Sequence, residues 1–101
     1  MKITIRYTKY DKTSKIMTRR VELREEVDVQ PGQTFFVGRY TFTIKEIDEE
    51  GVHIRSNDAM LTVAKSPTEE EDTRELYIGK EIVYCSITEG NIVYSMMMTI
   101  I

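Results

Sequence analysis

The sequence predicts an all-β fold, an antiparallel meander of about eight to nine short strands forming a β-sandwich or small barrel with no significant helix. Three observations predict it. Apolar and polar side chains alternate with a period of two through most of the chain, as in Ile3, Ile5 and Tyr7 against Lys2, Thr4 and Arg6. Turn-forming pairs recur at hairpin-length intervals: Pro31-Gly32, Gly38-Arg39, Gly79-Lys80 and Glu89-Gly90. No stretch shows a helical period, and the one helix-compatible segment, residues 67–76, has too few apolar residues to dock a helix.

The first strand places Ile3, Ile5 and Tyr7 on one face, and residues 9–15 form a polar connection. Met17, Val21, Leu23, Val27 and Val29 then share odd parity, interrupted by Arg19 and Glu25. At ~3.3 Å per residue a strand of that length outgrows a small domain, so a bend is expected near Arg24–Glu26. Pro31-Gly32 suits a type II turn, because Pro presets the first φ and Gly accepts a positive second one. Gly38-Arg39 suits a type II′ hairpin turn between Phe36-Val37 and Tyr40-Thr41. Tyr40, Phe42 and Ile44 face one way, and with Phe35 and Phe36 they mark an aromatic double hairpin as the centre of the core. The apolar parity slips between Ile44 and Ile47, which predicts a bulge at Lys45-Glu46. Residues 48–51 read as a turn with Gly51 left-handed. Val52 and Ile54 point inward, Ser56-Asn57-Asp58 turn the chain, and Ala59, Leu61 and Val63 line another strand. Residues 65–74 are expected to be an acidic loop. Residues 76–78, 82–87 and 92–101 read as a second double hairpin, whose last two strands are apolar on both faces and therefore central.

At 101 residues the chain reads as one domain spanning 1–101, with room for a single core. Charged residues make up 31%, which suits a globular protein. No apolar run approaches the ~20 residues of a membrane span, and Met1 opens directly on an alternating strand, so a cytoplasmic protein without membrane contact is expected. A single cysteine excludes an internal disulfide and fits a reducing compartment. The net charge of −3 hides a polarity: residues 1–24 carry eight basic side chains against Asp11 and Glu22, while acids dominate the rest.

No residue pattern points to catalysis, and a non-enzymatic domain is expected. Cys85 sits mid-strand among apolar neighbours, the setting of a core thiol. His53, the only histidine, lies on the polar parity of its strand. The acids cluster in turns and in residues 69–72, which suits a solvated surface better than the rigid paired carboxylates of acid–base chemistry. Zinc spacing, a calcium loop and a phosphate-cradling Gly-rich loop are all missing, so no cofactor or metal is expected. Phe36-Val37-Gly38-Arg39 resembles the Gly-Arg motif of forkhead-associated phosphopeptide-binding domains. That family's pattern has Ser three residues before a His, where this chain has Glu50 before His53, so no family is assigned.

The expected role is a protein interaction or assembly module, with self or a heterologous protein as partner. Surplus apolar surface on Met96, Met97, Met98 and Ile100 marks a self-association strand and suggests a homodimer. An anionic partner would meet the basic face of Lys2, Arg6, Lys9, Tyr10, Lys12, Lys15, Arg20 and Arg24. Nucleic acid or another polyanion on that face is the alternative, disfavoured by the acidic total charge, and a small-ligand barrel lined by Tyr and Met is the third reading.

Overall fold

The computed structural model describes residues 1–13 and 21–101. They form ten strands: β1 (Lys2–Asp11), β2 (Val21–Asp28), β3 (Thr34–Val37), β4 (Tyr40–Ile47), β5 (Val52–Ser56), β6 (Leu61–Ser66), β7 (Glu69–Thr73), β8 (Glu75–Ile78), β9 (Val83–Glu89) and β10 (Ile92–Ile100). They make two antiparallel sheets, a six-stranded one ordered β2-β1-β10-β9-β6-β7 and a four-stranded one ordered β3-β4-β5-β8. The fold is all-β, and among the described residues there is no helix.

Alternation carries through to packing. Ile3, Ile5, Tyr7, Phe42, Ile44, Ile54, Ile87, Met96 and Met98 are buried between the sheets. Phe35 stacks on Phe42 at 5.4 Å, and Tyr40 meets Tyr94 edge to face at 5.1 Å. Phe36 lies on the opposite parity and is 62% exposed, so only two of the three Phe residues serve the core. The Pro31-Gly32 turn forms as expected, with Gly32 at φ 83° and the Gln33 amide donating to the Gln30 carbonyl at 3.1 Å. Gly38 has φ 59° while Arg39 is not left-handed, which fits type II′ rather than type I′. The β4–β5 register shifts between Ile44 and Glu46, where the parity slips.

Three expectations are corrected. Residues 65–74 are not a loop: they complete β6 and build β7, an edge strand whose Thr62 hydroxyl contact to Asp72 and Lys65–Glu71 ion pair let an acidic segment join a sheet. Gly79-Lys80 is not a hairpin turn, because β8 pairs with β5 and β9 lies in the other sheet. β2 keeps unbroken register with β1 from Lys2↔Asp28 to Lys9↔Val21, so no bulge lies at Glu25; Met17 and Arg19 lie outside the described residues. Gly51 is not left-handed. Its turn is held by Asp48, whose Oδ1 accepts from the Glu50 and Gly51 amides at 2.9 and 2.8 Å.

Candidate interaction face on the six-stranded sheet

The outer face of the six-stranded sheet follows from register alone. Arg6 pairs with Arg24 on one side and Met97 on the other; Met97 pairs with Tyr84, Tyr84 with Ala64, and Ala64 with Glu70. These six side chains share a parity opposite to the buried Ile5, Met96 and Cys85, so they form one row across all six strands. The neighbouring row over the four inner strands is Thr8, Ser95, Ser86 and Thr62. Small hydroxyl residues there leave a depression of 470 Å³ beside the first row. A second depression, of 650 Å³, is lined by Thr4, Arg24, Ile82 and Thr99 and shares Arg6 and Met97 with the first.

Three apolar side chains stand together on this face. Ile82 is 50% exposed, Tyr84 is 49% exposed and Met97 is half-buried. Exposed Arg6 and Arg24 flank them. Tyr, Met and Arg are the residue types enriched in protein interfaces, because each offers a large contact area with a polar or polarisable element.

The expected self-association strand separates into two roles. Met96 and Met98 are buried in the core, and Ile100 packs partly against it. Only Met97 faces outward. β10 is hydrogen-bonded to β1 along its whole length and to β9 from Ile92 to Met98, so that stretch has no edge to offer a second chain. The apolar surplus that marked this strand is the signature of a central one. Ile82 and Tyr84 carry the remaining outward apolar surface, and their shared parity, opposite to Cys85, was the sequence signal for them.

The expected basic face separates as well. Lys2, Arg6, Tyr10 and Arg24 do share the outer side, but Asp28 lies opposite Lys2 and Glu26 opposite Thr4. Lys9 has the other parity and sits over the Tyr94 ring at 5.7 Å. Lys12 is exposed in the turn after β1, its amide bonded to the Asn91 carbonyl at 2.8 Å. Lys15 and Arg20 lie outside the described residues.

Other reactive side chains are committed to structure. Burial pushes the Cys85 thiol up to about 12, so it is protonated at neutral pH. His53 lies 3.4 Å from the Asp48 carboxylate and 4.6 Å from the Tyr77 ring, on the outer side of the other sheet from Cys85. At one end of the sandwich Glu89 accepts from the Tyr40 hydroxyl and from Arg39 at 2.6 Å, tying the β3–β4 turn to the β9–β10 turn. Among the described residues no group of His, Cys, Asp and Glu side chains is arranged to hold a metal ion, and no helix is long and apolar enough to cross a membrane. A cleft of 830 Å³ opens between β8 and the β6–β7 hairpin, lined by both acids and lysines. The chain matches no family model, no curated protein and no solved structure, so the functional reading rests on this geometry.

Proposed function

We propose that this is a non-enzymatic interaction domain that binds a protein through the outer face of its six-stranded sheet. The observation that carries the reading is the island of Ile82, Tyr84 and Met97 beside Arg6 and Arg24 on a sheet face that none of the described strands covers. Apolar surface gathered in one place, rather than scattered singly, is what protein contacts bury. A polyanion draws less support, since Glu26 and Asp28 interrupt the basic residues and Lys9 faces the other way.

The test is a photo-reactive phenylalanine analogue placed at position 84, and separately at Phe36, in the cells that make the protein. Position 36 is more exposed yet lies on the other sheet, so it reports chance contacts. Cross-linked protein adducts are expected from position 84 and not from 36, and Met97→Glu should remove them. No adducts from position 84, or equal adducts from both sites, would overturn the proposal.

A further inference from the structure

The same face carries a charge order that names the partner. Read from β2 to β7, the row is Arg24, Arg6, Met97, Tyr84, Ala64, Glu70. Two cations stand at one end, an acid at the other, and two large apolar side chains in the middle. The row is therefore opposite in charge about its own midpoint, which falls between β10 and β9.

Such a row is complementary to a copy of itself. A two-fold axis parallel to the strands, passing between two stacked copies at that midpoint, lays β2 over β7, β1 over β6 and β10 over β9. Each row then meets its own counterpart. Met97 of one copy covers Tyr84 of the other, and Arg24 meets Glu70 twice, once at each end. An axis running across the strands would instead set Arg24 and Arg6 over themselves, which like charges oppose.

We infer that a second copy of this chain is the occupant of the face, forming an isologous dimer about a strand-parallel axis. This inference rests on the interaction reading above. The area agrees with it. Six strands ~4.8 Å apart and about three rows of side chains cover roughly 500 Å² per copy, near the ~1,000 Å² in total that a specific interface needs. One charge opposes it: Glu26, on the outer face opposite Thr4, brings an acid of β2 towards the second copy's acidic β7. Two cations and one acid per row outweigh that contact, and the dimer is accordingly a weak one.

The test is sedimentation of the whole chain from about 5 to about 500 µM, the range in which a weak dimer of this size dissociates. Wild type is expected to dimerise, and Met97→Glu, whose side chain is outside the core, to stay monomeric and folded. Arg24→Glu and Glu70→Arg should each raise the dissociation constant about tenfold, and the double variant should restore it, because the swapped charges meet again across the axis. A monomeric wild type at every concentration overturns the inference, as does a dimer in which the double variant is no tighter than either single one. Cross-links from position 84 to a different protein would then leave the interaction reading standing without this partner.

Discussion

A methyl group added at Gly51 would lie 2.2 Å from the Ile78 carbonyl oxygen and 2.6 Å from the Tyr77 ring. The constraint is close approach, not backbone conformation, since Gly51 is not left-handed. Gly32 is the reverse case: its φ is 83° and nothing lies within 4 Å of an added Cβ. Gly51→Ala is therefore expected to cost about 2–3 kcal/mol, because main-chain atoms cannot yield as a side chain can. Gly32→Val should cost about 1 kcal/mol or more through φ alone. Urea denaturation of the two variants checks the order, and an unchanged Gly51→Ala would contradict the packing. The role of Gly32 was legible because Pro31 beside it specifies the turn. That of Gly51 was not, since its obstacle comes from β8. Cys85 and Phe42 could be placed from parity, whereas Phe36 could not be told from Phe35 until the strand's direction of burial was known.

Strands were legible wherever one face is apolar, because alternation is a local signal. β7 (Glu69–Thr73) has no apolar residue and takes its place only through pairing with β6, so it read as a loop. Its charges suit an edge, where unpaired backbone would otherwise template association. β2 at the opposite edge bears Glu25 across from Ile5, on the parity of the core, and Glu25 is exposed because the narrower second sheet does not cover it. The proposed interaction face escaped the sequence for a related reason. Its six residues come from six strands, and only register puts them in a row. Passages between sheets depend on side-chain tethers. Asp58, after β5, accepts from Thr41 Oγ1 and from the Thr41 amide, each at 2.6 Å, and so ties the β5–β6 crossover to β4. Those bonds, the hydroxyl first and the amide second, hold the Asp58 carboxyl below its ordinary 3.8. The folded state thus prefers the ionised form. Its contribution is complete above the ordinary value and is lost as pH falls through the lower, folded one. Asp58→Ala should flatten the decline of stability as pH falls below the ordinary 3.8, relative to wild type. Asp48, also held low by the Glu50 and Gly51 amides, keeps part of that slope. Identical acid limbs in thermal melts of the two proteins would show that the tether is not formed in solution.

At the scale of the molecule, the connections that define the topology are the least local. The hairpins β3–β4, β4–β5, β6–β7 and β9–β10 follow from short-range turn chemistry. Nothing short-range predicts that β1 pairs with β10, yet this ladder runs from Ile3↔Ile100 to Asp11↔Ile92 and joins the first and last strands inside the larger sheet. The Ile101 amide donates to the Lys2 carbonyl at 3.0 Å, and the Val29 amide to that of Met1 at 3.0 Å. Closing a loop of nearly the whole chain is the slow event such a topology imposes, since its entropy is lost before the ladder can repay it. Joining Ile101 to Met1 by about four flexible residues would turn that pair into a hairpin. New ends opened between Gln30 and Pro31 would separate β2 from β3, which lie in different sheets and do not pair, so every other ladder keeps its sequence separation. The rearranged chain is expected to fold at least about tenfold faster than the original in stopped-flow refolding, with the unfolding rate little changed apart from the lost Gln30–Gln33 turn. Equal refolding rates would mean that β1 and β10 pair after the limiting step, which would move the folding nucleus to the aromatic β3–β4–β5 sheet.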